Sequence, residues 1–494
     1  MMGDFPQTPY FTGLNQPVGQ QVHLTGLPVQ GTIPPEVRGS FYRAVPDPAF
    51  PPKFADDHTL SGDGMVSRLS FNADGSVDFA IKFVETARHQ AEKAAGRARF
   101  GKYRNPYTDD PDMAGVDRTV ANTTPVWHAG KLLMAKEDGR PYQVDPLTLE
   151  TLGSYDFGGA LNSETMTAHV RIDAQTGELF FYGYEADGLA STKVAYCVVG
   201  ADGKLKSEQW FDAPYCAMMH DFTISQNYAL FPIYPTTADL DRLKAGGEHW
   251  HHEPELDSWL GVMPRYGDVS EIRWFKGPKG VHSYHMMNAW EDADGMLHFD
   301  ACLNNTNAFA FIREPSGIFL QPWEIKGALT RWSVDPRAAG GEVRQSEIGP
   351  PGDFPVIPAA RQGQPYDHGW MLSMNPDLQG PPLLAGPVGV SFNLLLRLDG
   401  LQGAAPQVSQ ALPLPPMAGY NEPVHVPSAT PGQAGWLVMI VDQQVGDNQF
   451  HHECWIVDGG NLGAGPVARI TIPTRLRPQV HGWWVPQAQL DALA

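Results

Sequence analysis

Basic charge is scarce in this chain of 494 residues: 35 Lys and Arg stand against 55 Asp and Glu, a formal net charge of −20. A surface of that sign is repelled by DNA, RNA and anionic lipid, so neither nucleic acid nor a membrane is expected as a partner. Long hydrophobic runs are also missing. The longest apolar tract, PPLLAGPVGVSFNLLLRL at 381–398, is broken by Gly, Pro, Ser and Asn. No segment approaches the roughly 18 apolar residues of a membrane span. The opening MMGDFPQTPYFTG has no basic stretch followed by an apolar run, so no secretory signal is expected. Cysteine is rare. Cys197, Cys216, Cys302 and Cys454 lie far apart and form no CxxC pair, which reads as buried free thiols in a reducing cytoplasm. Helical signals are few, the best being QAEKAAGRARFG (90–101) and TADLDRLKAGG (237–247). No Pro/Gly/Ser-rich linker or charge block divides the chain, so a single domain over 1–494 is expected.

What is present in abundance is the tight turn, with 51 Gly and 44 Pro. FNADGSVDFAIKF (71–83), RIDAQTGELFFYGY (171–184), VGADGKLKSEQWF (199–211) and WEDADGMLHFDACL (290–303) each place DG or TG between two strand-like runs. Gly readily takes the positive φ that tight hairpins need, and Asp tolerates it. Repeated meanders in one undivided chain predict an all-β fold, a β-propeller of four-stranded blades with a few helices and loops. No clean sequence period is visible, so the blades must be irregular.

Most of the 17 histidines have a surface or core explanation. His249, His251 and His252 lie in the polar stretch GGEHWHHEPE, His451 and His452 in QFHHECW, and His23, His58, His89 and His128 show no partner pattern. Four others stand apart: His169 in TMTAHVRIDAQTGE, His220 in CAMMHDFTIS, His285 in HSYHMMNAWED and His481 in RPQVHGWWVP. Three of these are embedded in apolar, strand-like sequence, where an unpaired imidazole is costly to bury. Their intervals are 51, 65 and 196 residues. With blades of about 50–65 residues, somewhat larger than a compact blade, the first three fall on successive blades and the last comes three or four blades later. Each blade could then aim one imidazole at the propeller axis. In VHSYHMMNAWED a strand would turn His282 and His285 to opposite faces, so at most one of them serves a common site.

These segments resemble the carotenoid cleavage oxygenase superfamily. The resemblance runs from GTIPPEVRGSFYRAVPDP (31–48) through SGDGMVSRLSF (61–71) and KEDGRPYQVDPLTLETLG (136–153) to HGWW (481–484), nearly the whole chain. It implies a seven-bladed propeller whose axis holds one Fe(II) on His169, His220, His285 and His481. The family pattern of a ligand before xxNA selects His285 and leaves His282 a structural role. Four neutral imidazoles leave iron its full charge and leave positions open for oxygen and water. The family places acids behind its histidines, here matched by Glu137 in KEDGRPY, Glu422 in NEPVHVP and Asp353 in GDFPVI. Such acids fix the imidazole tautomer. The usual residue at the third place is Glu; the shorter Asp353 is expected to need a water or a backbone shift. TAHV also replaces the frequent TAHP.

Within the superfamily, FGKYRNPYTDDPD (100–112) and MAKEDG (134–139) resemble the lignostilbene dioxygenases and the isoeugenol- and vinylphenol-cleaving oxygenases. There a Tyr and a Lys at the positions of Tyr103 and Lys136 hold the substrate's 4-hydroxyl. The resemblance therefore implies cleavage of the C=C bond of a 4-hydroxyphenyl alkene by O2, with aromatic aldehydes such as vanillin as products. Phe309, in NNTNAFAFI, matches a pocket position and is expected to stack on the ring; Thr59 and Leu60 are expected at the pocket mouth. The stretch DGRPYQVDPLTLET leans towards the isoeugenol type over the stilbene type. Two rivals stand beside this reading: carotenoid cleavage at the same iron, and a binding propeller without redox chemistry. A cytoplasmic location is expected, with a homodimer left open.

Overall fold

The four turn sequences all build hairpins in the computed structural model, which describes residues 4–317, 324–403 and 406–493. Gly64–Phe71 returns as Val77–Phe83 with Phe71 opposite Val77. Arg171–Ile172 pairs Leu179–Tyr184, Lys193–Val199 pairs Leu205–Asp212, and His282–Glu291 pairs Leu297–Asn304. At the turns Gly75, Gly177, Gly203 and Gly295 take φ of 83°, 70°, 79° and 77°, the left-handed region that a residue without Cβ enters freely.

The chain forms two compact units: Met1–Tyr155, Met374–Leu395 and Gln410–Ala494 make the first, Asp156–Ser373 and Leu396–Ser409 the second. The first contains three antiparallel sheets. One runs Val22–Leu24, Val77–Phe83, Gly64–Phe71, Gly39–Pro46, Gly482–Pro486; another Thr124–His128, Lys131–Ala135, Tyr142–Val144, Thr151–Ser154. The other runs Val29–Gly31, Pro466–Thr471, Gln449–Asp458, Trp436–Gly446, Ala418–Tyr420, with Val424–Val426 also on Trp436–Gly446. Strands from the two ends of the chain are thus sewn together twice: Gly39 to Arg43 face Pro486 to Gly482, and Val29 to Gly31 face Ile470 to Ala468.

The second unit contains a sheet from Arg171–Ile172 to Leu205–Asp212. A second starts at Thr223–Ile224 and reaches Arg273–Lys279, with Gly341–Glu342 added in parallel, and a third runs from His282–Glu291 to Arg344–Gly349. A further four-stranded sheet is ordered Asp353–Val356, His368–Ser373, Leu394–Asp399, Gln407–Pro413, and Thr236–Thr237 pairs His251–His252 in a separate two-stranded one. These seven sheets of four to six strands are blades of a β-propeller; the meander pattern predicts the propeller, and the number seven is what the resemblance implies.

Alternation explains the packing. In Val77–Phe83 every second residue is buried, so one face joins a core of Phe41, Leu69, Phe79, Ile440, Ile456 and Ile470 in the first unit. The second unit has its own core of Leu230, Leu260, Phe275, Phe299 and Trp332. Each such side chain contributes about 1.5–3 kcal/mol on burial, which fixes the strand ends that carry the site. Both predicted helices form as shorter elements, the first beginning three residues before the predicted 90–101 and ending at 95. Ala87–Ala95 is capped by Thr86 and stopped by left-handed Gly96; Leu240–Lys244 is capped by Asp239. Among the described residues no helix is long and apolar enough to cross a membrane, and the four cysteines are free.

Candidate functional site

The four singled-out histidines sit at matching places. His169 and His220 lie just before the short edge strands Arg171–Ile172 and Thr223–Ile224, and His481 just before the edge strand Gly482–Pro486. His285 lies within the edge strand His282–Glu291. Backbone bonds hold them there. His481 N–H donates to Thr123 O at 3.1 Å, and its carbonyl accepts from Ala44 N–H at 2.9 Å. His169 N–H donates to Thr167 Oγ1 at 3.1 Å, and that hydroxyl donates to His220 O at 3.3 Å. Asp221, beside His220, ties the three histidine-bearing segments of the second unit. Its carboxylate takes both bonds from the Arg171 guanidinium at 2.7 and 2.8 Å and accepts the Met286 N–H at 2.9 Å.

One ring nitrogen from each of His169, His220, His285 and His481 falls within 4.8 Å of the others. His169 Nε2 is 3.1 Å from His220 Nε2, which is 3.4 Å from His285 Nε2. The opposite ring nitrogens meet carboxylates: His285 Nδ1 lies 2.7 Å from Asp353 Oδ1 and His481 Nδ1 2.9 Å from Glu422 Oε1. A carboxylate only accepts, so each Nδ1 carries the proton and each Nε2 keeps its lone pair. A cation between the four rings can take up the lone pairs that His285 and His481 turn away from their carboxylates. Nitrogens about 2.1 Å from one ion and at right angles around it are roughly 3 Å apart. The donor set therefore fits a divalent transition metal, and its all-imidazole character suits Fe, Zn, Cu or Ni rather than Mg or Ca.

His282 takes no part. It is fully buried, its Nδ1 lies 3.2 Å from Thr236 Oγ1, and its ring packs on Tyr284 and Tyr234. Asp353 reaches His285 directly, with no water between. At that place Phe354 has φ of 50° and the pairing register slips between Asp353 and Val356.

Lys136 and Glu137 follow directly on strand Lys131–Ala135, and both are buried. The Lys136 ammonium donates to Leu60 O at 2.8 Å and to Asn122 Oδ1 at 3.4 Å, and stands 4.9 Å from the centre of the Tyr103 ring. Burial lowers its pKa to about 8, with Asp138 and Glu137 pulling the other way. Burial, aided by the Glu137 charge, pushes the Tyr103 phenol well above its ordinary value, so it stays protonated and able to donate. Arg104, at left-handed φ of 53°, lies 3.9 Å from Glu137 Oε1. Strain of this kind clusters at functional sites. The His58 ring is 4.9 Å from that of Tyr103, and burial lowers its pKa to about 3, so it is neutral.

Leu60 therefore enters through its carbonyl, while Thr59 is buried in the same short turn. In the second unit the half-buried Phe309 stacks on Tyr284 at 4.2 Å, and Tyr284 packs edge-on to His220 at 5.4 Å. Sequence reasoning missed Asp221, Asn122, Arg104, His58 and Phe354. Asp221 had a local signal, an acid next to a candidate ligand; Asn122 and Phe354 had none.

Blades of a β-propeller that carry four converging imidazoles form a candidate metal centre. The model of the RPE65 family, described as retinal pigment epithelial membrane protein, matches residues 15–486. The chain belongs to this family, that of the carotenoid cleavage oxygenases. Lignostilbene-α,β-dioxygenase isozyme III of Sphingomonas paucimobilis is 37% identical over 502 residues, spanning 100% of both chains. Isoeugenol monooxygenase of Pseudomonas nitroreducens is 38% identical over 491 residues, 97% of this chain and 98% of that one. The crystal structure of Pseudomonas brassicacearum lignostilbene dioxygenase superposes with a TM-score of 0.91 at 36% identity, covering 98% of this chain and 99% of that one.

Proposed function

We propose that this chain is a non-haem Fe(II) dioxygenase that cleaves the C=C bond of 4-hydroxyphenyl alkenes. The overall change is balanced: one alkene and one O2 give two carbonyl compounds, one of them a 4-hydroxybenzaldehyde such as vanillin. The observation that carries this reading is the buried Lys136 cation beside Tyr103. A hydrocarbon substrate has no use for a desolvated ammonium, whereas a phenol does. Relatives named for lignostilbene and isoeugenol point the same way.

In this reading His169, His220, His285 and His481 hold the iron, and Asp353, Glu422 and Glu137 support the imidazoles. Iron bound there would supply activation of O2. The chain's own groups do the rest. Lys136 stabilises the ionised 4-hydroxyl and Tyr103 donates a further hydrogen bond to it. The phenolate pushes electron density through the ring into the conjugated alkene, which makes that alkene the better nucleophile. Asn122 and the Leu60 carbonyl hold the ammonium in place, and Phe309 offers an aromatic face to the substrate. Pocket length separates one-ring from two-ring alkenes, and the motif reading leans to the isoeugenol type.

The test is aerobic turnover of Fe(II)-loaded protein with isoeugenol, 4-vinylguaiacol and 4-hydroxystilbene, each beside its 4-O-methyl ether. Aldehyde from the free phenols and not from the ethers is expected. Equal turnover of ethers, or apocarotenals preferred over every phenol, would overturn the reading.

A further inference from the structure

Two imidazoles of the metal site are backed by carboxylates at nearly equal distance, yet by side chains of different length. Glu422 reaches His481 at 2.9 Å and Asp353 reaches His285 at 2.7 Å. An aspartate carboxylate stands one C–C bond closer to its backbone, about 1.5 Å. The Asp353 backbone must make up that difference, and it departs from regular strand there. Phe354 has φ of 50°, whereas no residue from 420 to 424 has a positive φ. The strand pairing also slips between Asp353 and Val356. A bulky aromatic residue resists the left-handed region by roughly 1–2 kcal/mol, so the surroundings must hold it.

Phe354 does two further things. Its N–H donates at 2.8 Å to Asp353 Oδ1, the same oxygen that takes the His285 proton. Its ring lies against the His285 ring, with centroids 5.0 Å apart and planes 25° off parallel. Backbone kink, amide clamp and stacked ring all act on one imidazole.

We infer that Phe354 is a positioning residue of the metal site: its left-handed turn lets an aspartate do for His285 what a glutamate does for His481, while its ring fixes the imidazole plane. The inference rests on the metal reading above. It makes side-chain length at 353 and backbone hand at 354 mutually dependent.

The experiment is titration of the folded apoprotein with Co(II) against a competing chelator, followed by its visible absorption, with thermal melts as a check of folding. Phe354→Val, whose branched Cβ disfavours the left-handed turn, is expected to weaken Co(II) binding about 10–100-fold, the usual effect of losing an outer hydrogen-bond partner. Asp353→Glu alone is expected to weaken it similarly, because the longer arm overshoots. The double variant Asp353→Glu/Phe354→Val is expected to recover most of the loss. Phe354→Gly, which keeps the turn and loses the ring, is expected to fall between wild type and Phe354→Val. Should Phe354→Val fail to fold, a loss in Asp353→Glu larger than in Phe354→Gly carries the same contrast. Wild-type affinity in either single variant at 353 or Phe354→Val, or losses that multiply in the double variant, would overturn the inference. A folded wild type that takes up no Co(II) would overturn the metal reading itself.

Discussion

Replacing Lys136 by Met should make the protein more stable and less useful at once. The ammonium is buried and its pKa falls from the ordinary 10.5 to about 8. That displacement corresponds to about 3 kcal/mol withheld from the fold at neutral pH. Met fills similar space without charge and leaves no broken bond behind. The Leu60 carbonyl keeps the Asn122 Nδ2–H at 2.9 Å, and Asn122 Oδ1 keeps the Thr123 hydroxyl at 3.0 Å. The sign follows from the two pKa values. The folded value is the lower, so the unfolded chain binds more protons between pH 8 and 10.5, and wild-type stability rises there relative to the variant. The Lys136→Met advantage should be full below about pH 8 and fade as pH climbs towards 10.5. Denaturant unfolding of the two metal-free proteins at a series of pH values measures it. Turnover of 4-hydroxylated alkenes should fall by most of its value while metal is retained. A Met variant less stable than wild type at pH 7, by an amount indifferent to pH, would refute the strain argument. Undiminished cleavage of free phenols would refute the assigned role.

Other consequences follow from the same geometry. Tyr103→Phe should raise KM for free phenols about tenfold, one hydrogen bond's worth, with kcat nearly unchanged, as steady-state kinetics would show. Asp221→Asn should lower stability by about 3 kcal/mol, since it unpairs the Arg171 guanidinium, and should also weaken metal uptake by disturbing three ligand-bearing segments; melts and metal titration read the two effects separately. Stripping the metal with a chelator should abolish aldehyde formation. Fe(II) should restore it and Zn(II), which has no redox chemistry, should not.

How much of this was legible in the sequence depended on whether the cause was local. The hairpins were, because Gly75, Gly177, Gly203 and Gly295 each had to supply a positive φ. The spacing of His169, His220 and His285 suggested successive blades, and they do open successive sheets of the second unit. The choice of His285 over His282 needed the family pattern. Simple alternation was a weak guide there, since the register slips on both sides of Met286. Through-space partners left no trace. Asn122 meets Lys136 across 14 residues and Asp353 meets His285 across 68, and neither pairing has a periodic signature. Leu60 was expected at the pocket mouth, and nothing local showed that its carbonyl holds the ammonium. The reach of Asp353 could not be judged without knowing that Phe354 turns left-handed.

If four imidazoles hold one catalytic iron, metal content and cleavage must depend on the same histidines. Wild-type protein and the single variants His220→Ala and His481→Ala would be loaded anaerobically with Fe(II), desalted, and assayed for iron per chain and for aldehyde from isoeugenol. One iron per wild-type chain is expected, with iron and aldehyde lost together in both variants. Full iron retention in either variant, or aldehyde formed without it, would rule out the four-imidazole iron site.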